Sequence, residues 1–370
     1  MKADPRISYI DTWRFLAILL VLCSHIIEYS HPIYETAVPG LFWRARGLGT
    51  LGVQVFFCIS GYVICRGMIR ESQLHGAVNM RGFYVRRAFR ILPPLAIYCV
   101  FILLLTAAGV ASVTGAQVAQ SVAFLCNFSS VGQCGWLLGH TWSLAYEEQF
   151  YLVFPLVFSV LALGRHRARL PIIVLVLAAA AIALHLLDRP ALATYLSTFT
   201  FMAWGCVFAF YEKELRPLLE RLPVAAWAAV ALLVLAAYTA AKSYGVATMV
   251  YPTVAPLAIC IAVFGTPMRN RIVGAAFGNQ RLAYLGKISY TVYLWQQAST
   301  GNLGLASPLP TFLLIVLVFV VAHLSYRHIE RPLIAIGAAL SARWTRPAAT
   351  AAGPVVSVPD DPEAPRIHLS

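Results

Sequence analysis

Long apolar runs, each of roughly 20 residues and separated by short polar connections, repeat along the chain. As helix, about 20 predominantly apolar residues cross the hydrocarbon of a bilayer. Ten such runs stand at 10–29, 50–68, 92–112, 146–164, 170–187, 194–211, 224–241, 250–266, 284–300 and 310–328. They predict an all-α fold, a polytopic membrane helical bundle of about ten transmembrane helices. The first run follows a basic start, as a signal peptide would. No small-residue cleavage site of the A-x-A kind follows it and nine more runs do, so it is read as a retained span.

The polar connections alternate in charge. If the N-terminus is cytoplasmic, the inner segments hold seventeen cations: Lys2, Arg6, Arg66, Arg70, Arg81, Arg86, Arg87, Arg90, Arg165, Arg167, Arg169, Lys213, Arg216, Arg221, Arg269, Arg271 and Arg281. The outer loops hold four, Arg44, Arg46, Arg189 and Lys242. Lys and Arg concentrate on the cytoplasmic side of membrane proteins, so both termini are expected inside.

Composition agrees with a bilayer setting. The chain is 60% hydrophobic and 12% charged, against a charged fraction of about 25% in soluble domains. Its net charge of +13 sits in short loops between apolar helices, where it complements anionic lipid headgroups. Nucleic acid is therefore not an expected partner. Residues 1–340 read as one membrane domain. From residue 341 the sequence is rich in Pro and Ala without periodicity, and residues 341–370 are expected to be a disordered cytoplasmic tail. No internal repeat is evident, which weakens a reading as an inverted-repeat transporter. Of eight cysteines, six lie in or beside apolar runs and read as small hydrophobes. Cys126 and Cys134 share an outer loop, where an oxidising compartment permits a disulfide.

Ionisable groups inside spans are costly and are functional candidates by default. Arg14 and His25 stand eleven residues apart, about three helical turns, so they share a face at roughly 16 Å separation along the axis. Arg86, Arg87 and Arg90 project from one side of a helical turn and form a candidate phosphate clamp, because forked guanidinium groups suit phosphate oxygens. A positive-inside anchor and a packing histidine are the plainer readings of the same residues. Further on, Ser143 and Glu147 lie four apart at the outer mouth of the fourth run, so Glu147 can face a cavity beside a hydroxyl. Glu148 can instead complement the helix dipole. His140 is read as a loop histidine rather than a catalyst.

Taken in order, these stretches resemble the acyltransferase 3 family, bacterial membrane proteins that O-acylate surface and secreted glycans. The resemblance covers about residues 8–333. It rests on Ile10-Asp11-Thr12-Trp13-Arg14 with His25 after ten intervening residues, on Gly52 through Tyr62, on Arg87-x-x-Arg90 before Ile91 and Pro93, on Thr141-Trp142-Ser143-Leu144 through Tyr151, on Leu285 through Tyr290 with Tyr293-Leu294-Trp295, and on Glu330-Arg331-Pro332. Two departures stand out: Gln296, where relatives often carry histidine, and Trp13, where glycine is common.

The resemblance implies an enzyme of the class transferring acyl groups other than aminoacyl groups, set in the bacterial inner membrane as a multi-pass protein. The implied donor is acetyl-CoA or another acyl-CoA, with its phosphates held at the cytoplasmic surface by Arg14, Arg86, Arg87 and Arg90. The implied acceptor is a carbohydrate hydroxyl of lipopolysaccharide, exopolysaccharide or another glycan. His25 is the implied base or acyl carrier, with Glu147 orienting the reactants. Asp11, Trp142, Ser143 and Tyr290 are implied on the substrate side. No metal is expected, and a periplasmic partner protein is a candidate to complete the reaction. A transporter or flippase for a lipid-linked sugar or acyl group is the competing class.

Overall fold

A computed structural model describes residues 8–29, 41–128, 134–161, 163, 165–240, 245–300 and 308–344. All of its regular elements are helices. They are α1 (Ser8–Tyr29), α2 (Leu41–His75), α3 (Met80–Ala107), α4 (Gly115–Val122), α5 (Gly135–Gly139), α6 (Thr141–Val160), α7 (Arg169–Leu186) and α8 (Pro190–Phe210). The second half comprises α9 (Glu212–Leu219), α10 (Val224–Ala240), α11 (Gly245–Phe264), α12 (Arg271–Phe277), α13 (Gln280–Lys287), α14 (Ser289–Thr300), α15 (Pro308–Ser325) and α16 (Arg331–Ala342). The last two join through a π-helical turn, Tyr326–Glu330.

Local sequence explains several boundaries. Asn79 caps α3 by accepting from the Gly82 amide at 2.9 Å, and Thr114 with Gln117 forms a capping box at α4. Asn270 and Asn279 cap α12 and α13 in the same way. The π turn places Glu330, which is 3% exposed, so that Thr291 and Ser325 hydrogen-bond its carboxylate. Such turns re-aim single side chains within otherwise regular helices. The Glu-Arg-Pro motif thereby ties the α15–α16 junction to α14.

Among the described residues six helices are long and apolar enough to cross a bilayer: Ser8–Ile27, Gly47–His75, Met80–Ala107, Arg169–Leu186, Pro190–Phe210 and Leu313–Ala342. A seventh follows if Glu212–Leu219 and Val224–Thr239, bent by 108°, count as one. The remaining runs are helical but differ from uniform spans. The 284–300 run breaks between α13 and α14, and α6 carries two carboxylates in its apolar sequence. Leu104, Leu152, Val160, Ile172 and Leu233 face outward, as residues in contact with lipid do. Of the expected tail, residues 345–370 lie outside the described residues, and α16 runs through Ala342.

Helix α1 lies against α2, α13 and α14, and α2 packs along α8. These crossings are close because glycines remove side chains from them, as is common between membrane helices. A Cβ on Gly61 of α2 would lie 1.9 Å from the Met202 carbonyl oxygen of α8, and one on Gly286 of α13 would lie 1.7 Å from that of Asp11. Neither backbone can yield without moving its helix. Gly286→Leu is therefore expected to destabilise the fold by about 3 kcal/mol, at the upper end of overpacking costs. Gly67→Leu, whose Cβ meets nothing within 4 Å, should leave stability unchanged. Thermal unfolding of both variants in detergent checks this.

Candidate functional site

Among the described residues α1 borders two cavities. The first, of about 110 Å³, is lined by Arg14 of α1, Arg87 and Arg90 of α3, Ser143, Glu147 and Tyr151 of α6, and Ser289, Tyr290 and Tyr293 of α14, with Ser60 and apolar residues of α2. Three guanidinium groups here face one lining carboxylate. Arg87 lies over the Tyr151 ring at 4.5 Å, and the Tyr151 hydroxyl hydrogen-bonds Ser60. Glu147 is reached by the Ser60 and Tyr151 hydroxyls and feels the charges of Arg87 and Arg14. Asp11 is buried 4.0 Å from Arg14, behind the cavity rather than on its wall. The Tyr290 hydroxyl donates to the Ile91 carbonyl at 2.9 Å, which fixes the break at α14 against α3.

Arg86 takes another direction. Its guanidinium pairs with Glu71 at 3.1 Å and hydrogen-bonds Ser341, so it braces α3 against α2 and α16 and does not line the cavity. Helical spacing puts Arg86, Arg87 and Arg90 within one turn, but it does not reveal that Glu71 and Ser341 claim the first. The carboxylates of α6 also sit differently from expectation. That helix starts at Thr141, five residues before the apolar run, so Glu147 and Glu148 lie in its second turn and not at its dipole end. Oε1 of Glu148 is buried without a protein hydrogen-bond partner among the described residues.

The second cavity, of about 910 Å³, holds His25. Facing it are Gln54, Asn127, Trp136, His140, Trp142, Tyr146, Thr194, Ser197, Thr198 and Gln297, and among the described residues no Asp, Glu, Lys or Arg belongs to the lining. A disulfide between Cys126 and Cys134 closes part of the wall. His25 Nδ1 lies 2.7 Å from Oε1 of Gln296, and its ring stands 5.6 Å from that of Trp136. The Gln296 amide nitrogen donates to Gln297 Oε1 at 2.9 Å, while Thr300 donates to Gln296 Oε1 at 3.4 Å. The amide oxygen therefore faces the imidazole. In the neutral ring the hydrogen then sits on Nδ1 and the lone pair on Nε2.

Eleven residues of α1 thus place Arg14 on one cavity and His25 on the other. Among the described residues the two linings share only Val53 and Tyr293. The Tyr293 hydroxyl lies 2.7 Å from Ser143 Oγ and 3.0 Å from the His140 carbonyl oxygen. Trp142 turns to the second cavity while its neighbour Ser143 turns to the first. Sequence reasoning left Trp136 and Gln297 unnamed and read His140 as a loop histidine. His140 directly precedes the Thr-Trp-Ser-Leu motif, which was the available signal. Among the described residues no group of three or more His, Cys, Asp or Glu side chains is placed to hold a metal ion.

Residues 7–327 match the family model described as an acyltransferase domain. Similar proteins include O-acetyltransferase OatA of Staphylococcus aureus strains NCTC 8325 / PS 47 and COL, each 26% identical over 326 residues, covering 77% of this chain and 52% of the relative. The chain thus spans about half the length of these curated relatives. No solved structure matches it.

Proposed function

The chain belongs to the acyltransferase 3 family, and on that premise we propose that it moves an acetyl group from acetyl-CoA, presented at the cytoplasmic face, to a hydroxyl of a cell-surface or secreted carbohydrate. The observation that carries this reading is the pairing of a cationic cavity with an aromatic, histidine-bearing one, uncharged among the described residues, across a shared wall. A cavity whose walls carry three guanidinium groups and one carboxylate favours a polyanion. At about 110 Å³ it admits part of a coenzyme, a phosphate or the end of the pantetheine arm. The larger cavity falls within the roughly 300–1,000 Å³ typical of ligand sites, and its amides, hydroxyls and indoles suit a neutral sugar ring.

In the proposed reaction His25 Nε2 takes the proton of the acceptor hydroxyl as its oxygen attacks the thioester carbon. The C–O bond forms, the C–S bond breaks, and the leaving thiolate takes up the proton that His25 accepted, which returns the imidazole to its neutral form. Arg14, Arg87 and Arg90 hold the donor. Glu147 and Ser143 orient the thioester end, with Tyr290 holding the helix break beside it. Trp142 offers a face to the sugar, and Asp11 positions Arg14. Arg86 acts through structure.

The proposal includes a bacterial inner-membrane setting with about ten spans and both termini cytoplasmic, a reading that the asymmetry of Lys and Arg supports. The disulfide beside the His25 cavity supports an oxidising compartment on that side. A periplasmic partner protein is part of the same reading.

The test supplies membrane vesicles containing the protein with labelled acetyl-CoA and extracted envelope glycans. Alkali-labile label on the glycan is the expected result. Movement of glycan across the vesicle without thioester consumption would overturn the reading in favour of a flippase. Arg90→Gln is expected to raise the KM for acetyl-CoA roughly 10- to 100-fold, the value of a hydrogen bond to a charged group, with the acceptor KM within about twofold. Steady-state kinetics with each substrate varied in turn checks this.

A further inference from the structure

Between α4 and α6 the chain is tied down more firmly than a surface connection requires. Phe124 holds a φ of +57°, left-handed backbone that a residue with a Cβ keeps only where its surroundings enforce it. Gln149 of α6 does so. Its amide nitrogen donates to the Phe124 carbonyl at 3.0 Å and to Asn127 Oδ1 at 3.1 Å, while its Oε1 accepts from Asn127 Nδ2 at 2.9 Å and from the Tyr195 hydroxyl of α8 at 3.1 Å. Phe128 stacks on the Tyr195 ring at 5.4 Å. The Cys126–Cys134 disulfide carries this anchorage across to Cys134, and Gly135, at a φ of +67°, turns the backbone immediately before Trp136. Cys126, Asn127, Cys134, Gly135 and Trp136 all border the larger cavity. Trp136 is 41% exposed, its ring stands 5.6 Å from that of His25, and its Nε1 donates to the Gln297 carbonyl at 3.3 Å. An indole fixed at its nitrogen, with much of its surface still accessible, is available to a bound molecule.

Resting on the acyl-transfer reading above, we propose that Trp136 is the platform on which the acceptor sugar packs beside His25, and that the Cys126–Cys134 disulfide and Gln149 position it, so that the acceptor site is complete only once the bridge has formed. A pyranose presents an apolar C–H face, and an indole offers a large flat surface with one polar edge, here already bonded to Gln297. Trp142 is less available, since it is half-buried and packs edge-on with Phe57 and Tyr146. Loop anchorage, disulfide and glycine turn all converge on the one side chain that stands next to the imidazole. An oxidising compartment therefore completes the site, and a reductant undoes it. With a phosphine, phosphorus is oxidised to the phosphine oxide, taking its oxygen from water, and the two sulfurs are reduced to thiols. The other six cysteines are free thiols, so the phosphine has no second disulfide to open.

The experiment uses the full chain in lipid nanodiscs with labelled acetyl-CoA and extracted envelope glycan. Alkylation of the unfolded chain counts the bridge: six of the eight cysteines should react before reduction and all eight after it. Trp136→Ala is expected to raise the acceptor KM roughly tenfold with the acetyl-CoA KM within about twofold, and Trp136→Phe should recover most of the loss. Opening the bridge with the phosphine, or by Cys126→Ser together with Cys134→Ser, should raise the acceptor KM roughly three- to tenfold, because loosening the platform cannot cost more than removing it. In Trp136→Ala the phosphine should add nothing further, the non-additivity expected of two parts of one device. Melting temperatures above the assay temperature confirm that each form is folded. Eight reactive thiols before reduction would overturn the proposal, as would an acceptor KM indifferent to the bridge or to Trp136, an equal rise in both KM values, or additive losses. Failure of the underlying reading looks different: the unmodified protein would transfer label to no acceptor, or His25→Ala would transfer normally.

Discussion

A His25→Ala enzyme is expected to transfer acetyl groups about 10² to 10⁴ times more slowly than the unmodified protein, the usual contribution of a positioned base. Its fold should survive. The side chain borders a cavity of about 910 Å³, so its removal enlarges a space that already exists and opens no void in packed core. Gln296, which orients the imidazole, keeps its bonds to Gln297 and Thr300 when the ring is gone. The same spaciousness predicts that millimolar free imidazole restores part of the activity, because a small base can occupy the place of the lost ring. Ester formation on glycan in vesicles, with melting temperature as the control for folding, measures both. Turnover close to that of the unmodified protein would remove His25 from the chemistry and leave the Gln296 contact as packing.

The helical class and the membrane setting were legible in the sequence because both are written in single-residue properties summed over a window. Twenty apolar residues report a span wherever the helix packs. Pairwise geometry was less legible. The eleven-residue spacing of Arg14 and His25 puts them about three turns apart on one helix, but it does not reveal that they border different cavities, which meet at Val53 and Tyr293. The divergence of Arg86 from Arg87 and Arg90 depends on Glu71 and Ser341, 15 and 255 residues away, which no local pattern reveals. His140 was hidden for a different reason. Read locally it belongs to a connection between helices, and only the convergence of Tyr98, Tyr293 and the start of α6 buries it. The change from histidine to Gln296 in the family pattern became intelligible in the same way, since an amide can fix the orientation of the His25 ring through Nδ1.

Val53→Trp is expected to reduce transfer by at least about 10², the cost of displacing reacting groups by an ångström or so, while acetyl-CoA binds within about threefold of normal. The reasoning follows from the shared wall. In the proposed reaction a thioester anchored by Arg14, Arg87 and Arg90 has to reach the side on which His25 stands, and among the described residues Val53 and Tyr293 are those that both linings have in common. Tyr293 is tied by its hydroxyl to Ser143 and His140, which makes Val53, a small side chain on α2, the part of the wall past which an acyl group can slide. An indole there would fill the space at the wall that the two linings share. Overpacking of this kind costs about 1–3 kcal/mol, so a melting temperature and a direct measurement of acetyl-CoA binding must accompany the rate. The converse substitution makes the argument specific. Val53→Ala widens the passage and is expected to shift donor preference from acetyl toward butyryl and hexanoyl thioesters, measured as the ratio of kcat/KM across the series. If Val53→Trp transfers normally, the acyl group takes another route and the two cavities do not serve one reaction.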